Sequence, residues 1–149
     1  MAVTIAAICD GIATTLATGA GINTVKSYDE LTEGIPGVDC PRLQVYPEGF
    51  APNPGSRTDR LTFQAAMQHQ ELIVFVDHYA RKRSQMAQDM KAVVVSLDAL
   101  IDVLEAQEKK PFFAVAAIDS FDWVWKRATL VYAGERYAGG RFTITLRIA

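Results

Sequence analysis

The side chains best suited to proton transfer in this 149-residue chain are its two histidines, His69 and His78. His69 falls in a polar stretch, residues 67–70, that reads as a hairpin reversal, and His78 follows an apolar run. Neither has a Cys, His or carboxylate at metal-ligand spacing. Asp77 directly precedes His78, but neighbours on a strand point to opposite faces, so the pair reads as a strand end and not as an acid–base couple. Asp98, Asp102 and Glu105 share one helical surface at i, i+4 and i+3 spacing. They are the residues on which a metal or acid–base site would have to rest, although exposed carboxylates at such spacing ordinarily form a solvated helix face. Ser27, Ser56, Ser84, Ser96 and Ser120 all lack the sharp Gly-x-Ser-x-Gly turn of a serine nucleophile. Gly134, Gly139 and Gly140 stand between two expected strands, whereas a phosphate cradle precedes a helix. No catalytic residue, cofactor site or metal site is expected.

Composition narrows the partners. The chain is 50% hydrophobic and 21% charged, with a net charge of -2. A protein that wraps nucleic acid uses a basic field to release counterions from phosphates. Only Arg81-Lys82-Arg83 forms a basic run, and it reads as a solvated connection, with an acidic partner surface as the alternative. Cys9 reads as a small core residue and Cys40 as part of a turn before Pro41. Two cysteines allow one bridge, but they are far from a secreted disulfide framework. Residues 2–20 are rich in Ala, Ile and Thr, yet Asp10 interrupts them and no Lys or Arg precedes Lys26. A secretory signal is therefore not expected. Nor does any stretch reach the ~18–20 apolar residues of a membrane span.

The elements that must position these side chains follow from periodicity. Ile5, Ile8, Ile12 and Leu16 share one helical face, with Thr4 as N-cap, Gly19 and Gly21 as terminators, and Gly11 as a weak point. Residues 22–26 suggest a strand, 29–33 a helical turn, and 43–46 a short strand. Residues 47–56 hold three prolines and two glycines, which predicts a long, stiff loop with Phe50 exposed on it. An alternating strand is expected over 60–66. A second strand, 71–77, encloses five consecutive apolar residues and should lie at the sheet centre, covered on both faces.

Ser84 is the expected N-cap of a long helix. Its apolar stripe is Met86, Met90, Val93, Leu97, Leu100, Ile101 and Leu104, with Asp89 and Ser96 off it. Lys109 and Lys110 would complement its dipole, and Pro111 would stop it. Strands at 113–118 and 123–132 are expected with Ser120-Phe121-Asp122 between them, and Trp123 and Trp125 in the core. A glycine-rich connection at 133–140 precedes a final strand with Phe142, Ile144, Leu146 and Ile148 inward. The result is one α+β domain over residues 1–149: a mixed, mainly antiparallel sheet with two main helices on one face.

The run from Leu130 to Ile144, with Tyr132, Gly134 and Tyr137 ahead of an alternating strand, resembles the ending of tail terminator (tail completion) proteins of long-tailed bacteriophages. The order of the preceding elements is similar too: an N-terminal helix, a short strand ending Val45-Tyr46-Pro47, a Pro/Gly-rich loop, a hairpin and a long helix. The resemblance covers nearly the whole chain. It implies a non-enzymatic virion protein that forms a homohexameric ring on the tail tube. Such a ring ends tube polymerisation and offers a surface to the head connector. Its partners would be the major tail tube protein and a head-completion protein, with DNA passing through the ring and no sequence-specific or membrane contact. It would be assembled in the host bacterial cytoplasm. Long structureless loops are usually functional, and prolines reduce the ordering cost on binding. The candidate contact residues are therefore Pro47, Glu48, Phe50, Pro52, Asn53, Pro54 and Arg57, the hairpin tip Met67, His69 and Gln70, and Arg141 and Arg147 on the polar face of the last strand. A neck or connector adaptor, a minor tail protein, and a small ligand-binding domain or enzyme are the alternatives.

Overall fold

A computed structural model gives the fold, with residues 4–31, 40–52 and 70–148 described. Helix α1, Ile5–Leu16, starts where the sequence places it, because the Thr4 side chain accepts the Ala7 N–H at 3.1 Å. It buries Ile8, Cys9, Ile12, Ala13 and Leu16. Burial, and then the charge of Asp10, push the Cys9 thiol up to about 11, so it behaves as a small apolar group at neutral pH. Strand β1, Thr24–Lys26, runs parallel to β2, Arg42–Ala51. Strand β3, Gln70–Lys82, follows, then helix α2, Met86–Glu105, a 3-10 turn at Phe112–Ala114, β4 at Ile118–Tyr132 and β5 at Glu135–Ile148.

The sheet order is β1-β2-β3-β5-β4, with every contact after the first antiparallel. The fold is α+β. β3 is central, as its apolar run requires. Leu72, Val74 and Val76 meet Leu43 and Val45 of β2 and Phe142, Ile144, Leu146 and Ile148 of β5 in one buried layer. Ile8, Ile12 and Leu16 of α1 and Leu100 and Leu104 of α2 close that layer. Both helices therefore cover the same face. Ile73 and Phe75 point the other way and are only half-buried, so the expectation of two covered faces at β3 is corrected.

Several boundaries differ from the sequence reading. Residues 47–51 are not loop: they continue β2 alongside β3. Pro47 is tolerated because β1 pairs only with residues 42–44, leaving this stretch at the sheet edge among the described residues, and a bulge between Pro47 and Gly49 absorbs the irregularity. Of the strand expected at 113–118, only Ile118 is in a strand, as the first residue of β4. Phe113 and Ala114 adopt φ of 52° and 58°, and the Phe113 N–H donates to Gln107 Oε1 at 2.9 Å. β4 then runs without interruption through Ser120, Phe121 and Asp122 after a bulge between Ile118 and Ser120. Trp123 and Trp125 pack against the core as expected.

The 133–140 connection shrinks to a two-residue turn, Ala133-Gly134, both at positive φ, which suits the twist of a hairpin. Gly139 and Gly140 lie inside β5 for reasons of space. A side chain on Gly140 would enter the Trp125 indole, and one on Gly139 the His78 carbonyl.

The N-cap of α2 is Gln85, with no side-chain cap hydrogen bond, and not Ser84. Instead, Asp89 Oδ2 accepts the Ser84 N–H at 3.0 Å and Oδ1 sits 3.7 Å from Arg81 Nε. The buried stripe is thus Asp89, Val93, Ser96, Leu100 and Leu104, whereas Met86 is exposed. Arg81 and Lys82 belong to β3 rather than to a connection. The helix ends at Glu105, before Lys109 and Lys110 reach its last turn.

Candidate interaction surface

Among the described residues, two features are left uncovered: the sheet face opposite the helices, and the two outer edges of the sheet. On the open face, β2, β3 and β5 bring together Tyr46, Phe75, Asp77 and Arg141. The Tyr46 hydroxyl donates to Asp77 Oδ2 at 2.7 Å, and Arg141 Nε donates to Asp77 Oδ1 at 2.7 Å. Arg141 Nη2 also reaches the Tyr46 oxygen at 3.3 Å, and its guanidinium lies 4.5 Å from the Phe75 ring centroid. Burial, the hydrogen bond to Asp77 and its negative charge all raise the Tyr46 phenol above its ordinary range. The hydrogen bond to Asp77 leads the causes that raise Arg141. Arg141, one of the expected contact residues, keeps its side chain 40% exposed while its guanidinium is held by Asp77 and Tyr46, with one face over Phe75.

This network borders a groove of about 800 Å³, lined by Asp77, Tyr79, Lys126, Arg141 and Thr143 among others, that opens broadly to solvent. At its far end Tyr79 packs edge-on against Tyr137, with ring centroids 5.4 Å apart, and against Tyr132 at 6.0 Å. The two tyrosines around the β4–β5 turn therefore anchor the hairpin to β3.

His78 points to the opposite side of β3 from Asp77, as strand pleating demands. It is buried under α2, with Nε2 2.6 Å from Ser96 Oγ, and Ser96 Oγ in turn donates to the Ala92 carbonyl at 2.8 Å. Burial holds the imidazole down at about 4, so it is neutral at physiological pH. A serine and histidine in contact resemble part of a nucleophile–base pair, but both side chains are shielded from solvent and the pair fastens helix to sheet. The carboxylates Asp98, Asp102 and Glu105 lie on the exposed side of α2. Among the described residues, no three His, Cys, Asp or Glu side chains converge. None of the described helices is long and apolar enough to cross a membrane.

Of the expected contact residues, Pro47, Glu48 and Phe50 lie together on the free stretch of β2, with Pro52 just beyond it, all exposed. Phe50 is 44% exposed although its backbone is fixed opposite Leu72. Gln70 opens β3 and pairs with Ile148, and Arg147 is exposed on β5. Asn53, Pro54, Arg57, Met67 and His69, like the strand expected at 60–66, lie outside the described residues. The Tyr46–Asp77–Arg141 network was not foreseen. Its members could be assigned to polar strand faces, but only the register between strands brings them into contact. A scan against protein-family models and a search of curated proteins found no match to the chain.

Proposed function

We propose that the protein is a structural subunit of the phage tail terminator kind. It forms a homohexameric ring on the end of the tail tube, stops tube growth and presents a surface to the head connector. The carrying observation is Phe50. A large aromatic, 44% exposed, stands on an edge strand whose backbone is held by pairing with β3. Rigid aromatics of this kind act as interface anchors, because little conformational freedom remains to be lost on binding. Pro47 and Glu48 lie beside it, giving a compact patch of one apolar and one acidic contact. A patch that docks on a different surface of the next copy makes a head-to-tail contact, and such contacts generate rings when the rotation closes. The resemblance in element order and in the Tyr132, Gly134, Tyr137 ending supports the same reading.

Light scattering of the purified protein tests the ring, with six subunits or a multiple of six expected and smaller species for Phe50→Ala. Tails assembled without the protein should have uncontrolled tube lengths. A wild-type protein that never reaches six subunits, together with unchanged tail length in its absence, overturns the proposal. A gold label found only on the portal side of the neck assigns the chain to the connector adaptors instead.

A further inference from the structure

Strand β4 is the outermost strand of the sheet, and among the described residues nothing pairs with its outer edge. It is 15 residues long, about 50 Å of backbone, and contains neither proline nor glycine. Its one irregularity is the bulge at its start. Natural sheets protect such edges with prolines, bulges, short strands or charged side chains, because unpaired N–H and C=O groups recruit other strands. The edge of β2 carries such protection in Pro47 and its bulge. From residue 120 onward β4 carries neither proline nor bulge, and its charges, Asp122, Lys126 and Arg127, are of both signs.

We propose that β4 pairs antiparallel with β4 of a second copy, about a two-fold axis through Val124. Charge selects this register. Along β4, Asp122, Val124 and Lys126 share the open face of the sheet, and all three are exposed, Val124 by 55%. Centred on Val124, the pairing sets Asp122 opposite Lys126 of the second copy, twice over, around a Val124–Val124 contact. On the other face it sets Trp123 opposite Trp125, a favourable aromatic cross-strand pair. Centring on Trp123 or Trp125 leaves both charges without an opposite partner. Centring on Asp122 or Lys126 places like charges together, which is destabilising. Of these five registers, only the one centred on Val124 pairs the open-face charges Asp122 and Lys126.

An isologous contact closes after two copies. The pairing is therefore separate from the head-to-tail contact of the proposed ring and goes beyond it. If both hold, two rings meet through their β4 edges, and the free protein is a dodecamer.

Charge reversal tests the register in the full chain. Asp122→Lys and Lys126→Asp each place like charges across the axis, and each should weaken pairing about tenfold, more at low salt than at high salt. The double variant D122K/K126D restores both opposite-charge pairs and should recover wild-type association. A Val124→Cys substitution, made with Cys40→Ser, should form a disulfide across the axis under mild oxidation, and Val131→Cys in the same background should not. Mass photometry reads the association and non-reducing electrophoresis the cross-link. Wild-type association that both single reversals leave unchanged, or a double variant as weak as either single one, overturns the proposal. The two readings fail separately: hexamers that never double remove the β4 contact and leave the ring, and dimers that never enlarge remove the ring and leave the β4 contact.

Discussion

Gly11 shows how one position reads differently in sequence and in space. In the middle of α1 it looks like a defect, and replacement by Ala should gain roughly 1 kcal/mol of helix propensity. In the fold, a Cβ on Gly11 would lie 2.6 Å from the Phe113 carbonyl oxygen and 3.0 Å from a Val115 methyl. Phe113 is fully buried and its backbone is already in the left-handed region, so the 3-10 turn has little room to retreat. Gly11→Ala should therefore lose stability, by about 1–3 kcal/mol, because overpacking outweighs propensity. Urea denaturation settles the sign.

His78 gives a second residue-scale test, in pH. Its folded-state value, about 4, lies below the ordinary 6.5, so the unfolded chain binds the proton more readily. The contribution is fully present above pH 6.5 and is lost as pH falls towards 4, by on the order of 3 kcal/mol. His78→Gln keeps a polar group near Ser96 and removes the titration. The difference in stability between wild type and variant should shrink or reverse across that window, and stay constant above it.

At the scale of elements, helix α2 separates two possible sources of its N-terminal stability. Ser84 has the right residue type and position for a cap, but the Asp89 carboxylate accepts its backbone N–H and also faces Arg81. Ser84→Ala should be close to neutral. Asp89→Ala should cost about 0.5–2 kcal/mol, the usual range for a lost cap, since the Ser84 N–H loses a part-buried charged acceptor. Thermal melts of the two variants at pH 7 rank them.

The same contrast explains which elements were legible. α1, the core of β3 and the alternation of β5 carry strong local periodicity, and their buried faces follow it. Residues 47–51 and 133–140 are not legible locally, because Pro47, Gly139 and Gly140 answer to distant contacts and not to a local turn. In the fold Pro47 is permitted by an edge position, and Gly139 and Gly140 by the approach of His78 and Trp125. Asp89 and Ser96 looked like surface residues because polarity is local, whereas their partners on β3 and before α2 are not. Of the candidate contacts, Phe50 was legible as an exposed aromatic. The engagement of Arg141 depended on strand register, which no single strand encodes.

For the whole molecule, the two outer edges of one sheet call for different modes of association. The free stretch of β2 is short and interrupted by Pro47 and a bulge, which disfavours strand addition and leaves Phe50 to act through its side chain. The outer edge of β4 is long and unbroken from residue 120, which favours strand addition. Phe50 and Lys126 stand towards opposite edges of the sheet, with β3 and β5 between them. Substitutions at such separated sites act independently. Native mass spectrometry should accordingly find a dodecamer for wild type, hexamers for Lys126→Asp, dimers for Phe50→Ala and monomers for the double variant. Should Phe50→Ala also abolish the β4 cross-link that Val124→Cys provides, the two edges are energetically coupled, and one contact must form before the other becomes available.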